Sequence, residues 1–314
     1  MPARIRLIVT AGPLDGRGHL GRALSLAEAL AERGTDAELQ LLAGSLSMNE
    51  AARAAAASVH VVTDGVATGL AVVVDLPDPH AAPAVDPDRL LVIDDRDTFA
   101  GRAAAVVQPS QPSWNGPGAA RTVLAGYDYV PISAAVRERR AAALEAAVPA
   151  VGRRVVVCFG GADPGDVTGR LVGALAALDA DVEVIVGPSY RSSTEGSPMA
   201  VIRDPADLVD RIAGADLVLL GAGTMKFDAA CLGRPAILLA VADDQLPVGP
   251  AFAATGAARF LGDGRTIEPE RVVREISELL RDHAAREQLG ARAAEVVDGE
   301  GAHRIATVLE RLAG

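Results

Sequence analysis

The sequence predicts an α/β protein made of two doubly wound halves that face each other across a cleft. The chain has 314 residues, which corresponds to about two domains at ~150 residues each. Hydrophobic residues make up 50% of the chain, which is enough for two sizeable cores. Short apolar, β-branched runs alternate with longer helical patterns, as is typical of βαβ units in parallel sheets.

The first half contains a series of predicted strands and one well-defined helix. Apolar residues recur at helical spacing from Leu20 to Arg33, and Gly34 follows as a C-cap. Strands are predicted at Ile5–Val9, Ala37–Leu42, His60–Val62, Ala71–Val74, Leu90–Ile93 and Ala105–Val107. We assign residues 1–136 to an N-terminal domain.

A helix rich in Arg, Glu and Ala runs from Val136 to Pro149, and residues 137–154 are interpreted as the connection between the domains. A second series of strands then begins the C-terminal domain, residues 155–314. These strands are predicted at Val155–Phe159, Asp181–Val186, Ala200–Ile202, Leu217–Leu220 and Ala236–Ala240. The tail from Pro269 to Leu312 is helical, and its last helix could pack back on the N-terminal domain.

Composition and charge exclude several classes of protein. A net charge of -11 argues against a broad nucleic-acid surface, which requires clustered Lys and Arg. Cys158 and Cys231 lie in apolar stretches and form neither a disulfide framework nor a metal-ligand cluster. The apolar run at the N-terminus is too short for a secretory signal, and no run is long enough to span a membrane. We therefore expect a cytoplasmic protein without a metal, a nucleic-acid partner or stable membrane insertion.

The first loop with potential chemistry is Gly16-Arg17-Gly18-His19, between the first strand and its helix. Its glycines let the backbone turn tightly, and the amides at the helix start favour a nearby negative charge. His19 is the candidate for proton transfer, because histidine as a residue type has an ordinary pKa of ~6.5. The alternative is a histidine at the start of the helix in an ordinary turn.

Two further loops follow strands of the second half. In the first, Gly160 and Gly161 suit a loop around a phosphate or sugar, with Asp163 and Asp166 either at the ligand or capping the next helix. In the second, Gly221 and Gly223 precede Thr224, which is predicted at the N-cap of the next helix with its hydroxyl free to meet a phosphate oxygen. Asp228, one helical turn later, could accept from a ribose diol. The loop with Asp244 and Gln245 offers polar groups to the same site. Each loop also has a purely structural explanation, as a turn or as the cap of the next helix. All of the loops, however, run from the end of a strand to the start of a helix.

These motifs, taken in order, resemble those of the UDP-sugar hydrolases of pseudaminic acid biosynthesis. These enzymes are relatives of the peptidoglycan N-acetylglucosaminyltransferase that makes lipid II. Residues 16–27 are similar to the family's G-x-G-H-x-x-R-x-L-x-L-A opening, and residues 90–95 to its strand followed by acids. Residues 159–168 resemble its F-G-G-x-D-P-x-N-x-T. Residues 215–235 resemble its A-D-L…G-G-S-T…E…L-G-x-P run, and residues 298–304 its closing D-G-x-G-A-x-R.

The resemblance implies a GT-B fold of two Rossmann-like domains, with the nucleotide diphosphate held by the C-terminal half. It also implies that His19 is the general base, which deprotonates water or an acceptor hydroxyl before inverting attack on the anomeric carbon. No cofactor is then needed, and the diphosphate, expected to be UDP, is part of the substrate or a product. The N-termini of the helices after Gly161 and Thr224 would stabilise its charge without a metal.

The sequence departs from the family at several sugar-side and nucleotide-side positions. Ala222 replaces a glycine, Asp228 replaces a glutamate, and Asp166 and Asp244 replace asparagines. Three functions stay open: a hydrolase of a nucleotide-sugar, which we place first, a glycosyltransferase for a small-molecule acceptor, and a non-catalytic protein that binds a nucleotide-sugar.

Overall fold

The computed structural model describes residues 5–11, 17–62, 70–193 and 195–314. The chain divides into two compact units. The first is formed by Met1–Ala134 together with Gly299–Gly314, and the second by Ala135–Asp298. The last helix therefore belongs to the first unit. Gly16, in the first predicted loop, lies outside the described residues.

The first unit contains a seven-stranded sheet in the order β3-β2-β1-β4-β5-β6-β7, with every strand pair parallel. Its strands are β1 (Ile5–Ala11), β2 (Ala37–Gly44), β3 (His60–Val62), β4 (Ala71–Asp75), β5 (Leu90–Ile93), β6 (Arg102–Gln108) and β7 (Ala119–Ala125). Its helices are α1 (Gly18–Glu32), α2 (Met48–Ala56) and α10 (Gly301–Ala313).

This sheet is buried on both faces, as expected for parallel strands. In β4, Ala71 and Val73 join one apolar cluster while Val72 and Val74 join another on the opposite face, because successive side chains alternate along a strand. The first cluster includes the apolar stripe of α1 and the inward residues of α10, among them Ile305. The last helix of the chain thus completes the core of the first unit.

The second unit contains a six-stranded parallel sheet in the order β10-β9-β8-β11-β12-β13. Its strands are β8 (Arg154–Cys158), β9 (Asp181–Val186), β10 (Val201–Arg203), β11 (Leu217–Gly221), β12 (Ala236–Ala240) and β13 (Arg259–Asp263). Helices of the second half are α3 (Ala134–Glu145), α4 (Val167–Leu175), α5 (Leu208–Ala213), α6 (Met225–Cys231), α7 (Gln245–Ala253), α8 (Pro269–Arg281) and α9 (His283–Val296).

Each sheet has one point at which the strand order reverses. In the first unit the chain winds outward from β1 to β3 and then returns to the other side of β1 with β4. In the second unit the same happens between β8 and β11. Open α/β sheets bind ligands at the carboxyl ends of the strands at such points. The topology therefore marks one candidate location in each unit.

The two parallel sheets confirm the predicted doubly wound α/β class. Sequence reasoning missed β7, β13 and α2. The strand β7 is an exposed edge strand whose apolar residues are interrupted by Arg121 and Thr122, and β13 carries Gly262 and charged ends, so neither has the composition of a buried strand. The prediction for β4 stopped one residue early and so left out Asp75. Within the described ranges, no helix combines the length and apolar character that crossing a membrane requires.

Candidate active site

His19 and Asp75 meet at the point where the strand order of the first sheet reverses. His19 is the second residue of α1, which follows β1, and Asp75 is the last residue of β4. Val9 of β1 pairs with Asp75 in the parallel register, and β1 continues beyond this pair to Ala11. His19 Nδ1 lies 2.6 Å from Asp75 Oδ1.

This distance determines which nitrogen of the imidazole carries the proton. Nδ1 lies 2.6 Å from the carboxylate oxygen and 3.1 Å from a terminal nitrogen of Arg22. Because the shorter contact is with an ionised carboxylate, which can only accept, we place the hydrogen on Nδ1, which donates to Asp75. In a neutral ring, Nε2 then holds the lone pair. Nε2 has no hydrogen-bond partner within the described ranges, and the His19 side chain is 13% exposed. The ring is oriented as a base that can accept a proton at Nε2.

Arg22 holds the Asp75 carboxylate on its other side. Its Nε donates to Asp75 Oδ2 at 2.8 Å and one terminal nitrogen donates to Asp75 Oδ1 at 2.6 Å. Its other terminal nitrogen pairs with Asp95, which follows β5 and also accepts a hydrogen bond from Ser110 Oγ at 3.2 Å. Arg22 lies one helical turn after His19, so α1 presents both side chains to Asp75.

The charges of this network determine the ionisation of Asp75. Arg22 pairs with both Asp75 and Asp95. Burial by itself would raise the pKa of the Asp75 carboxyl, but the charges of Arg22 and His19 outweigh burial and hold that pKa below its ordinary value. Asp75 is therefore an anion at neutral pH although it is fully buried.

The start of α1 is fixed by contacts with the neighbouring helix α2. Arg17, at the N-cap of α1, donates from Nε to Glu50 at 2.9 Å and from a terminal nitrogen to the Ala11 carbonyl at 3.3 Å. Glu50 is also part of the capping box with Ser47 at the start of α2. Gly18 is the first residue of α1. These contacts hold the start of α1, the helix that carries His19.

Two members of this network were missed by sequence reasoning. The predicted strand Ala71–Val74 ends one residue before Asp75. Arg22 enters the predictions only as part of the opening motif, residues 16–27. A carboxylate at the end of a wholly apolar strand was the signal available for Asp75.

The three carboxylates that follow β5, namely Asp94, Asp95 and Asp97, have different roles. Asp95 joins the network, whereas Asp94 accepts from Phe99 N and Trp114 Nε1, and Asp97 accepts from Gln108, which makes these two turn residues.

The second unit brings three of the predicted segments together at its own reversal point. A Cβ built on Gly221 would lie 3.5 Å from the Phe159 carbonyl oxygen and 3.6 Å from Gln245 Oε1. Gln245 Oε1 accepts a hydrogen bond from Val241 N at 3.1 Å, and its Nε2 would lie 3.3 Å from a Cβ on Gly223. The Gly160 loop, the Gly221 loop and Gln245 are thus neighbours.

The carboxylates of the Gly160 loop cap α4. Asp163 is 6% exposed and accepts hydrogen bonds from the amides of Val167 at 3.0 Å and Thr168 at 2.8 Å. Asp166 accepts from Gly169 N at 3.3 Å. The first amides of α4 are thus bound to two carboxylates, and the expectation that the N-terminus of α4 stabilises a diphosphate stays a prediction. Burial raises the pKa of Asp163 although the Thr168 and Val167 amides oppose this.

The glycines of this loop have steric reasons to be there. Gly160 adopts a φ of +91°, which side-chain-bearing residues rarely adopt. The segment after β9 lies directly against the loop, since a Cβ on Gly187 would be 2.3 Å from Gly161 Cα. Tyr190 of that segment donates from its hydroxyl to Asp166 Oδ1 at 2.6 Å. Asp166 is thereby engaged inside the unit, and ligand contacts by Gly160, Gly161 and Asp163 stay predictions.

The Gly221 loop retains polar groups that are not used in capping. Thr224 is the N-cap of α6 but makes no side-chain capping hydrogen bond, as the sequence predicted. Asp228 lies one turn further along α6 and is half-buried. Asp244, the N-cap of α7, is exposed and makes no side-chain capping bond. Within the described ranges no group of three His, Cys, Asp or Glu side chains could hold a metal ion.

Comparison with known proteins gives no match to a family model. One curated relative is the spore coat polysaccharide biosynthesis protein SpsG of Bacillus subtilis (strain 168), which is 25% identical over 171 residues. The match covers 51% of this chain and 50% of that protein, so it spans about half of the relative's length.

Solved structures match nearly the whole chain. MurG of Acinetobacter baumannii gives a TM-score of 0.61 at 15% identity, covering 98% of this chain and 99% of that chain. The calicheamicin glycosyltransferase CalG4 gives 0.64 at 14% identity, covering 99% and 98%. The fold is GT-B. The spinosyn rhamnosyltransferase SpnG, solved with thymidine diphosphate, shares the GT-B fold with a TM-score of 0.57 at 17% identity, covering 98% and 100%. The GT-B fold that the resemblance implies is confirmed by these structures.

Proposed function

We propose that this chain is an inverting glycosyltransferase that moves a sugar from a nucleoside diphosphate to a hydroxyl group of a small-molecule acceptor. The observation that carries the proposal is the His19–Asp75 pair at the reversal point of the first sheet. The relatives and structural neighbours support it further, because those whose names state a reaction are glycosyltransferases.

The pair can perform the proton transfer that such a reaction requires. Nε2 of His19 takes the proton of the acceptor hydroxyl as its oxygen attacks the anomeric carbon. The bond between that carbon and the diphosphate oxygen breaks, and the diphosphate leaves with the electron pair. Asp75 holds the ring through Nδ1 and stabilises the imidazolium that forms, while Arg22 keeps Asp75 charged and in place.

We assign the diphosphate to the second unit. Support comes from the Gly221 loop, where the Thr224 hydroxyl is not engaged in capping. Gln245 lies against the backbone of this loop at Gly221 and Gly223. Asp228 is proposed to accept from the ribose, as the resemblance implies. UDP is the expectation from the resemblance, and thymidine diphosphate, which is present in the structure of SpnG, is an equal candidate.

The test begins with calorimetric titration of the purified chain with UDP, thymidine diphosphate, GDP, ADP and CDP. Sugar derivatives of the tightest ligand are then incubated with and without a mixture of small alcohols and aglycones. Release of the diphosphate only when an acceptor is present would support transfer. Equal release of free sugar without acceptor would make water the acceptor, which is the hydrolase reaction. Absence of binding to every diphosphate would overturn the proposal.

Two variants distinguish an enzyme from a non-catalytic binding protein. His19→Ala removes the base and is expected to lower turnover at least ~100-fold while leaving diphosphate affinity unchanged. His80→Ala is the matched control, since this exposed histidine of the same unit stacks on Phe99 and belongs to no part of the Asp75 network. Turnover that is unchanged in His19→Ala would remove His19 from the mechanism.

A further inference from the structure

Lys226 is the only lysine among the 314 residues, whereas the chain contains 29 arginines. It is also one of the most deeply buried side chains, with 2% of its surface exposed. Lys and Glu are almost never fully buried unless they are paired. A chain that uses arginine at every other cationic position therefore has a buried ammonium at this one position.

The ammonium lies directly beneath the Gly221 loop. Nζ donates to the carbonyl oxygens of Ala222 and Gly223, both at 2.9 Å. It also lies 3.9 Å from the centroid of the Phe227 ring and 5.8 Å from that of Phe252. The two rings meet edge to face at 5.5 Å. A compact ammonium suits this small space between rings and carbonyls, whereas a planar guanidinium is wider.

The two hydrogen bonds determine where the loop amides point. In a trans peptide the C=O and the following N–H point in opposite directions. Because the carbonyls of Ala222 and Gly223 are turned toward Nζ, the N–H groups of Gly223 and Thr224 point away from it. Neither amide donates a hydrogen bond within the part of the chain that the structure describes. Successive outward amides of this kind form a concave surface for anions.

We propose that Lys226 is a positioning residue for the diphosphate of the donor, because it turns the amides of Gly223 and Thr224 outward and places a buried positive charge behind them. The inference rests on the proposed function, in which this loop holds the diphosphate. The charge acts through a medium of low dielectric formed by the two phenylalanine rings, so solvent screens it weakly. The effect of Lys226 is therefore specific to the phosphates and leaves recognition of the nucleoside unchanged.

The first test uses Lys226→Met, which keeps the length of the side chain but removes its charge and donors. Titrations use thymidine diphosphate, thymidine monophosphate and thymidine, or the uridine series if UDP binds more tightly to the wild type. We expect the Kd of the diphosphate to rise about tenfold or more, which is 1.4 kcal/mol or more, with nucleoside affinity unchanged. A rise of less than twofold, or equal losses for diphosphate and nucleoside, would overturn the proposal.

Leu232→Ala is the matched control, because it removes buried apolar volume at the end of the same helix but leaves the ammonium, both carbonyls and both rings in place. It is expected to lower the Tm while leaving the ratio of diphosphate to nucleoside affinity as in the wild type. Lys226→Gln, which keeps a donor without the charge, replaces Lys226→Met if the latter does not fold. Failure of the wild type to bind any diphosphate would refute the proposed function. Tight binding by both the wild type and Lys226→Met would refute only the role of Lys226.

A second measurement needs no variant. Labelling with ¹⁵N-lysine and a lysine-free tag gives a single backbone amide signal, that of Lys226, two residues after Thr224. We expect this signal to shift on titration with the diphosphate and to stay in place with the nucleoside. A signal that does not move at saturating diphosphate would place the phosphates elsewhere and contradict the proposal.

Discussion

Replacement of Asp75 by asparagine tests the proposed mechanism most directly. The carboxylate accepts from His19 Nδ1 at 2.6 Å and from Arg22 at 2.8 and 2.6 Å, and it is fully buried. Asparagine has nearly the same shape but no charge. Its amide group can donate to Nδ1 and so stabilise the tautomer in which Nε2 carries the hydrogen and is no longer a base.

The expected loss of activity is large compared with the expected loss of stability. In a serine protease the equivalent change lowers kcat by roughly 10⁴-fold, which corresponds to about 5.4 kcal/mol. Breaking a buried ion pair costs about 3–5 kcal/mol in stability. Because Asp95 still pairs with Arg22 here, we expect the lower end, about 3 kcal/mol. Even a protein stable by only about 5 kcal/mol would then remain roughly 97% folded, so unfolding cannot explain a large loss of turnover.

The assay measures the rate of diphosphate release from the nucleotide-sugar that the wild type uses, together with urea unfolding of both proteins. Asp94→Asn is the matched control, since Asp94 is also a buried carboxylate of the first unit but holds only a turn and Trp114. We expect it to lose stability and keep its kcat. A kcat of Asp75→Asn within threefold of the wild type would refute the role assigned to the pair.

Acid titration of stability tests the charge of Asp75 independently of turnover. Although burial opposes ionisation, Arg22 and His19 lower the pKa of Asp75 in the folded chain. Its contribution to stability is therefore fully present above the unfolded pKa of ~3.9 and is lost as pH falls through the lower folded value. The difference in unfolding free energy between the wild type and Asp75→Asn should be constant near neutral pH and shrink below about pH 4. A difference that grows on acidification would contradict this sign.

Two further outcomes concern the second unit. Thr224→Ala should weaken diphosphate binding by about 0.5–1.5 kcal/mol, the value of one hydrogen bond. The Tm should change little, because the hydroxyl caps no helix. Calorimetry that shows unchanged affinity would remove Thr224 from the site. Gly187→Ala should lower the Tm strongly, because the new Cβ would lie 2.3 Å from Gly161 Cα. Gly173→Ala in α4, where a Cβ meets nothing within 4 Å, should instead be neutral or stabilising. Equal Tm values for these two alanine variants would contradict the packing argument.

The sequence by itself determined the features that depend on local order. Strand and helix periodicity placed the first strand, its helix and the loop that carries His19, and the paired glycines marked Gly160 and Gly221 after their strands. The edge strand β7 was not predicted, because an exposed strand buries too little apolar surface to require a regular pattern of apolar residues. The same local reasoning predicted Thr224 as an N-cap with an unused hydroxyl.

Tertiary structure alone decided the partners of these residues. Arg22 lies 53 positions from Asp75 and 73 from Asp95, and the parallel register of β1 with β4 makes the first pairing possible. The role of Asp163 likewise depends on the conformation of its loop. That conformation directs the Asp163 carboxylate toward the first amides of α4. Side chains that are distant in sequence interact only through the register and packing of whole elements, so no local pattern encodes these contacts.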